Sequence, residues 1–241
     1  MGGGTASTQG QPAGYSPTFA PTSLPGCALW LRADIGVTTG ATFTWADQSG
    51  SNDSNKNATQ ASSGAQPSVI TNDAAFNNVT SLSLTGANSQ YLRTGTWGTY
   101  LFQPSTWIVV CSSTAEGYIV DGIVSASRQA ILSLAANDLA FYSGSVLQSV
   151  SAPVQSPCVI ALQFNGASSA AYCNNSQTPA LSSVNPGSDY VTGLTLGASE
   201  ALATFMTGKI VEVYAYSRIL TAPEMKMAFA YSGGRCGIAV S

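Results

Sequence analysis

The sequence predicts an all-β protein: a two-sheet antiparallel β-sandwich, or jelly roll, with one short C-terminal helix. Three observations lead to this prediction. Short runs of β-branched and aromatic residues recur along the chain and are separated by Gly, Asn, Asp, Pro and Ser. One longer run, residues 209–220, alternates with the period of a strand and lacks a strongly polar face. A convincing helix start signal follows it, at residues 221–224.

Composition narrows the classes of function. The chain has 241 residues, a length that suits one large all-β domain. Apolar residues make up 44% of it, charged residues only 8%, and the net charge is −3. So little charge provides a weak field for attracting nucleic acid or an anionic membrane surface. No run approaches the roughly 18 apolar residues of a membrane span, so we expect neither a nucleic-acid nor a membrane partner.

The N-terminal segment is predicted to be a flexible arm. Residues 1–23 are mainly Gly, Ser, Thr, Gln and Pro, which cannot bury enough surface to order the segment. Tyr15 and Phe19 are the apolar side chains through which we expect the arm to contact a partner. The first ten residues lack the basic and apolar regions of a signal peptide, which predicts synthesis in a cytoplasm. We expect the sandwich domain to occupy residues 24–241.

The predicted strands begin with residues 24–34, which are entered through a Pro-Gly turn and anchored by the large apolar side chain of Trp30. Residues 42–50 alternate in the same way. The middle of the chain continues with short strand-like runs at 106–111, 117–121, 129–134, 139–142, 146–150 and 158–164.

A polar loop follows the second strand. Asp47, Asn52, Asp53 and Asn55 could offer oxygen ligands to a Ca²⁺ ion, which takes about six to eight of them. Their spacing matches no EF-hand loop. Asn and Asp also form turns by hydrogen-bonding their own backbone, so the loop is open to both interpretations. No other cofactor is indicated.

The run at residues 209–220 is predicted to be a strand in the middle of a sheet with both faces covered. Glu212 stands out in it, because a buried carboxylate needs a charged or hydrogen-bonding partner. The candidate partners are Arg32, Arg93 and Arg218. A structural ion pair is the simpler role for Glu212, and a catalytic acid is the alternative.

The helix is predicted from a capping box formed by Thr221 and Glu224, with Pro223 in the first turn. Its apolar stripe comprises Met225, Ala228 and Phe229. We expect the helix to end at residues 233–234, a pair of glycines.

Histidine and cysteine chemistry is limited. Histidine is absent, which excludes His-dependent nucleophilic catalysis. The five cysteines show no CxxC spacing of the kind that binds zinc. Cys111 and Cys158 lie in apolar runs and are predicted to be small buried hydrophobic residues. A disulfide between Cys27 and Cys236 would join the two ends of the domain, and spacing alone does not decide whether it forms.

Several short blocks of sequence resemble a known family. They are LWLRAD (29–34), WADQSG (45–50), NATQ (57–60), SLSLTG (81–86) with YL (91–92), FNG (164–166) with AYCN (171–174), LTLGA (194–198) and GKIVEVYAY (208–216). In order and spacing they resemble the laminin-G-like domains of the concanavalin A-like lectin/glucanase superfamily, over residues 24–238. The resemblance implies a concanavalin A-like sandwich that binds glycans or proteins.

Catalysis is not expected. The glucanase branch of that superfamily uses a close pair of carboxylates on one strand to cleave glycosides. No Glu-x-Asp-x-Glu run occurs here, and Glu116, Asp121, Glu200 and Glu212 each stand alone. The sequence therefore predicts a protein that is not an enzyme.

The main functional hypothesis is a structural or interaction protein at the surface of a virion, such as a bacteriophage capsid decoration, head-fibre or tail protein. The arm would attach it to other structural proteins of a large assembly, by analogy with sandwiches that serve this role. The alternative is a glycan-binding, lectin-like adhesion module, with Ca²⁺ dependence if the polar loop holds the ion. The candidate residues for stacking on sugars are Trp97, Tyr100, Tyr142 and Tyr172.

Overall fold

Two antiparallel β-sheets form the protein, and one C-terminal helix lies on the outer side of one of them. The computed structural model describes residues 19–134 and 137–241. Tyr15 of the predicted arm therefore lies outside the described residues. The predicted fold class, an all-β two-sheet sandwich with a short C-terminal helix, is confirmed.

The described residues form seventeen strands and one α-helix. They are β1 (Cys27–Arg32), β2 (Val37–Thr38), β3 (Phe43–Trp45), β4 (Ala58–Gln60), β5 (Ser68–Asp73), β6 (Val79–Leu84), β7 (Leu92–Arg93), β8 (Ser105–Ser113), β9 (Gly117–Asp121), β10 (Ala130–Leu134), β11 (Asp138–Tyr142), β12 (Gln148–Ser151), β13 (Cys158–Phe164), β14 (Ser169–Cys173), β15 (Leu181–Val184), β16 (Thr195–Leu196), β17 (Gly208–Tyr216) and α1 (Ala222–Cys236).

The strands divide between an eight-stranded and a nine-stranded sheet. The eight-stranded sheet has the order β15-β14-β13-β8-β17-β6-β5, with β1 paired to β17 beside this path. The nine-stranded sheet has the order β12-β11-β10-β9-β16-β7-β4-β3-β2. Side chains from both sheets meet in one large core that includes Trp45, Trp107, Phe141 and Phe164.

Strand β17 is paired along both edges, as predicted for a central strand. It pairs with β8 on one side, and on the other with β6 through residues 208–210 and with β1 through residues 212–216. A second apolar cluster covers its outer face and includes Ile108, Tyr214 and Phe229, the last from α1. Both faces of β17 are thus buried.

A β-bulge changes the predicted alternation of β17. Opposite β8, Ile210 pairs with Cys111 and Glu212 pairs with Val110, so Val211 is an extra residue in the ladder. Ile210 therefore joins the core between the sheets, while Val211 joins the cluster under the helix. Strict alternation along this run would put Ile210 and Glu212 on one face, and the bulge separates them.

Glu212 is buried and bound by three donors from two other elements. Its carboxylate accepts hydrogen bonds from Trp30 Nε1 at 2.6 Å, Tyr231 Oη at 2.9 Å and Arg235 Nη2 at 2.8 Å. The structural ion pair predicted for Glu212 is present, but its partner Arg235 was not among the candidates.

The three predicted partners of Glu212 are engaged elsewhere. Arg32 pairs with Asp34, Arg218 pairs with Glu224, and Arg93 donates to main-chain carbonyl groups. Arg235 reaches Glu212 because α1 lies across the outer face of the sheet, a placement that sequence spacing does not reveal.

Helix α1 begins where the sequence predicts, but it continues beyond the predicted end at residues 233–234. The Glu224 carboxylate accepts from both the backbone nitrogen and the hydroxyl of Thr221, each at 2.8 Å, as in a capping box. The predicted end at residues 233–234 is wrong, because α1 continues to Cys236 and is capped by Gly237 with φ of 68°. Gly233 is used for close packing instead: a Cβ there would lie 2.7 Å from the carbonyl oxygen of Ile238.

The cysteines and the chain termini complete the fold. All five cysteines are free, so Cys27 and Cys236 are not bridged, and Cys111 and Cys158 are buried as predicted.

Phe19 packs against Tyr231 of α1 with the ring centroids 5.4 Å apart. Among the described residues, α1 is too short and too polar to cross a membrane.

The buried ion pair makes a testable contribution to stability. Replacing Arg235 in an Arg235→Met variant leaves the Glu212 carboxylate, which is 0% exposed, without its charge partner. We expect the free energy of unfolding to fall by about 3–5 kcal/mol, measured by urea denaturation. Arg32→Met breaks a partly exposed pair and should cost about 1 kcal/mol or less. Equal effects of the two variants would contradict the role assigned to Glu212.

The helix cap predicts a dependence of stability on acid. The hydrogen bond from Arg218 lowers the pKa of Glu224 from 4.5 to about 2. A lowered carboxylate pKa contributes stability above pH 4.5, and this contribution is lost as the pH falls towards 2. Glu224→Gln should therefore be less stable than wild type at pH 7, by about 1 kcal/mol or less at this partly exposed position, and the difference should vanish near pH 2. A difference that stays constant with pH in thermal melts would refute this.

Candidate functional site

The nine-stranded sheet presents its outer face without a helix in the described residues, since α1 covers the other sheet. Tyr118 of β9 and Tyr142 of β11 lie on this open face. The guanidinium group of Arg128 stands over both rings, 5.5 Å from the centroid of Tyr118 and 5.3 Å from that of Tyr142. Both tyrosines are partly buried, and they pack against a small apolar cluster that includes Leu132.

Arg128 is held in place by two carboxylates. It donates to Asp121 through Nε at 2.9 Å and Nη2 at 2.7 Å, and Nη2 also lies 3.2 Å from Glu200. Burial acts to lower the pKa of Arg128, but the hydrogen bond and charge of Asp121 raise it above its ordinary value. The guanidinium group of Arg128 thus stays charged, and the two carboxylates of Asp121 and Glu200 more than balance its positive charge.

An exposed aromatic cluster lies at one rim of the sandwich. We call Tyr100, Phe102 and Tyr190 the rim aromatics. The rings of Tyr100 and Tyr190 stack with centroids 5.8 Å apart and an angle of 18°, and Phe102 lies 4.9 Å from Tyr190. Tyr100 is 40% exposed and Phe102 is 58% exposed. Large aromatic side chains exposed together are unusual on a surface, which makes this cluster a candidate interaction site.

The two loops that carry the rim aromatics are tied together by the backbone. Leu101 and Val191 exchange a pair of N–H···O bonds, each of 2.9 Å. Gln103 Nε2 donates to the carbonyl oxygen of Asp189 at 3.0 Å and to Ser143 Oγ at 2.8 Å. The rim is thus supported by hydrogen bonds from elements of the rigid sandwich.

Asp189 is a carboxylate at this rim with capacity to bind more donors. Its main chain is bonded on both sides, with its nitrogen donating to Ser143 and its carbonyl accepting from Gln129 Nε2 at 3.0 Å. Its side chain accepts one long contact, from the backbone nitrogen of Arg128 to Oδ2 at 3.4 Å. Within residues 19–134 and 137–241, Oδ1 has no hydrogen-bond donor from the protein. Gly144 packs against this carboxylate where a larger residue would overlap it.

The structure separates the four residues that were predicted to stack on sugars. Tyr100 lies at the rim, and Tyr142 lies on the open face beside Arg128. Tyr172 lies on β14 of the other sheet, where burial raises its pKa. Trp97 is only 1% exposed and its Nε1 donates to Thr94, so we correct its assignment: it has no free ring face for a sugar.

Sequence reasoning missed three residues of the rim: Phe102, Tyr190 and Asp189. The sequence signals that could have indicated this cluster are two aromatic residues in one short loop, Tyr100 and Phe102, and a third aromatic residue, Tyr190, shortly after a Pro-Gly pair. Their meeting depends on the pairing of Leu101 with Val191, which lie far apart in the sequence.

The polar loop has the bonding pattern of turns. The Asp47 carboxylate accepts from the backbone nitrogens of Trp30 and Ser49, and that of Asp53 accepts from the nitrogens of Asn55 and Gly98. A pocket of about 350 Å³ runs along this loop. The described residues contain no group of three or more His, Cys, Asp or Glu side chains that suits a metal ion. Carboxylate oxygens already bound by N–H donors fit the turn interpretation, and Asn52, with φ of 54°, fits it as well.

Comparison with known proteins identifies the fold but not a family. No family model and no curated protein matches the chain. The structure is similar to that of the Trypanosoma rangeli sialidase in complex with sialic acid, with a TM-score of 0.59 and 11% identity over 86% of this chain. It is also similar to the binding domain of botulinum neurotoxin DC, in complex with SialylT (TM-score 0.53, 16% identity, 86% of this chain) and with rat synaptotagmin II (TM-score 0.57, 15% identity, 88% of this chain).

The chain spans 33% of the length of the sialidase and about half of the two neurotoxin chains, 51% and 52%. These likenesses agree with a concanavalin-like, jelly-roll sandwich. The identities are too low to show more than the fold.

The prediction that this chain is not an enzyme is corrected by the comparison with sialidases, because they are enzymes in which this sandwich occurs. That prediction depended on the absence of a Glu-x-Asp-x-Glu run. Such a run is only one arrangement of catalytic carboxylates, so its absence excludes one mechanism and not catalysis in general.

The support of the rim can be tested at Gly187. This residue has φ of 117°, and a Cβ on it would overlap the backbone of Ser143. Gly187→Ala should lower the free energy of unfolding by roughly 2–3 kcal/mol, as measured by chemical denaturation. Gly166→Ala is the matched control, because Gly166 also has positive φ, 53°, but faces open space, so only about 1 kcal/mol is expected. Similar losses in both variants would show that the packing against Ser143 is not tight.

Proposed function

We propose that this domain binds glycans and that the rim aromatics form the surface on which a sugar ring stacks. The observation that carries the proposal is the preformed cluster of Tyr100, Phe102 and Tyr190, in which Tyr100 and Phe102 are exposed and Asp189 precedes Tyr190 in the chain. One face of a pyranose ring carries mainly C–H groups, which match the apolar face of an aromatic ring. The hydroxyl groups around the same sugar require hydrogen-bond acceptors, which a carboxylate supplies.

The rim is a better stacking surface than the open face of the nine-stranded sheet. Tyr118 and Tyr142 each have the guanidinium group of Arg128 against the ring. A sugar that replaced Arg128 would break its bonds to Asp121, whose side chain is buried. The rim aromatics require no such rearrangement, because Phe102 and Tyr100 already face solvent.

The fold likeness supports a binding role of this kind. The similar sialidase structure contains sialic acid, and one similar neurotoxin domain contains SialylT. The closer assignment to laminin-G-like domains is part of the proposal and is supported by the short sequence blocks between residues 29 and 216. The virion-surface role and location stay predictions from the sequence, and the comparisons give them no support.

Truncation of the rim aromatics tests the proposal. The domain should give specific signals on a glycan array, and Tyr100→Ala and Phe102→Ala should each weaken binding at least about tenfold by calorimetry, which corresponds to about 1.4 kcal/mol. Met227→Ala is the control, because Met227 is 43% exposed but lies on α1, over the other sheet. Chelation of Ca²⁺ should leave binding unchanged, since the carboxylates of Asp47 and Asp53 are already bound by N–H groups.

Two results would refute the proposal. One is the absence of any saccharide signal above background, with and without Ca²⁺, for protein that melts cooperatively. The other is unchanged affinity of both rim variants together with loss of binding in Tyr142→Ala, which would place the sugar on the open face.

A further inference from the structure

We infer that the rim selects uncharged sugars and rejects sialylated and other acidic ones, with Asp189 accepting hydrogen bonds from sugar hydroxyl groups. This inference rests on the proposed function, because it names the ligand class of the same surface. It differs from what the ligands in the similar structures suggest, since those ligands are sialic acid and SialylT.

All eight Lys and Arg residues lie in the described part of the chain, and seven of them are already engaged. Five form ion pairs, and two donate to main-chain carbonyl groups. The seven engaged residues are Arg32, Lys56, Arg93, Arg128, Lys209, Arg218 and Arg235. The eighth, Lys226, lies on α1, which covers the eight-stranded sheet.

Arg128 is the basic residue whose backbone contacts Asp189, and its charge is not free. Its guanidinium group is occupied by Asp121 and Glu200 and is 15% exposed. These three side chains together carry one net negative charge, so this group repels an anion. A sugar carboxylate at the rim would therefore meet Asp189 without a cation to balance it, and like charges at an interface oppose binding strongly.

Asp189 provides the matching attraction for a neutral sugar. An ionised carboxylate only accepts hydrogen bonds, so its ligand must bring donors, and hydroxyl groups are the donors that every uncharged sugar carries. Its main chain is fixed by Gln103, Gln129 and Ser143, and its carboxylate packs against Gly144. It directly precedes Tyr190 in the chain, so its Cα lies about 3.8 Å from that of Tyr190, and we expect a saccharide of one or two residues on the rim aromatics to extend to it.

The test uses pairs of the same oligosaccharide with and without its terminal sialic acid. The wild-type domain should bind the uncharged member at least about tenfold more tightly than the sialylated member. Asp189→Asn keeps the shape of the side chain and removes its charge. We expect it to weaken binding of the uncharged sugar several-fold and to reduce the discrimination against the sialylated one. Glu116→Gln, which removes one charge from an exposed loop, should behave as wild type.

The possible outcomes separate the inference from the proposed function. Tighter binding of the sialylated member, or unchanged selectivity in Asp189→Asn, would overturn the inference while glycan binding stands. Absence of binding to both members, and to a wider array of glycans, would overturn the proposed function itself. Thermal melts of Asp189→Asn serve as the folding control, because Gln103 and Gln129 donate to its carbonyl oxygen and its backbone nitrogen donates to Ser143, so these bonds do not involve the carboxylate.

Discussion

The structure depends on the neutralisation of one buried carboxylate. Glu212 lies on the central strand β17, and burying its charge is tolerable only because Trp30 of β1 and two residues of α1, Tyr231 and Arg235, bond to it. These bonds assign α1 to one position on the outer face of the eight-stranded sheet. The other outer face is left without a helical cover in the described residues, so the two faces of the sandwich differ in what covers them.

The sequence predicts those features that depend on neighbours in the chain. The existence of the central strand β17, the capping box at Thr221 and the burial of Cys111 all follow from local pattern and propensity, and all are present. The bulge at Val211 does not follow, because an extra residue in a ladder is defined by the partner strand. The continuation of α1 through Gly233 does not follow from local pattern either. Glycine is needed there because the C-terminal residues pack closely against the helix, and this tertiary contact outweighs the tendency of glycine to end a helix.

The candidate site was less accessible to sequence reasoning than the fold. Tyr100 was recognised as a possible stacking residue, but Trp97, three residues earlier, is equally aromatic and is buried in the core. Hydrophobicity cannot distinguish the two, because both the core and a sugar-binding surface use large aromatic side chains. The distinction arises only when Tyr190, from a distant loop, stacks on Tyr100 and not on Trp97.

The pairing of Leu101 with Val191 has a consequence for how such a protein changes over evolution. Leu101 and Val191 lie in the core, while their neighbours Tyr100 and Tyr190 belong to the rim cluster, so the bridge separates the scaffold from the rim surface. Under the proposed function, substitutions at Tyr100, Phe102 or Tyr190 would alter which sugar is bound while leaving the core between the sheets unchanged. One sandwich could thus diversify its ligands through a few exchanges in two loops, while the core between its sheets stays the same.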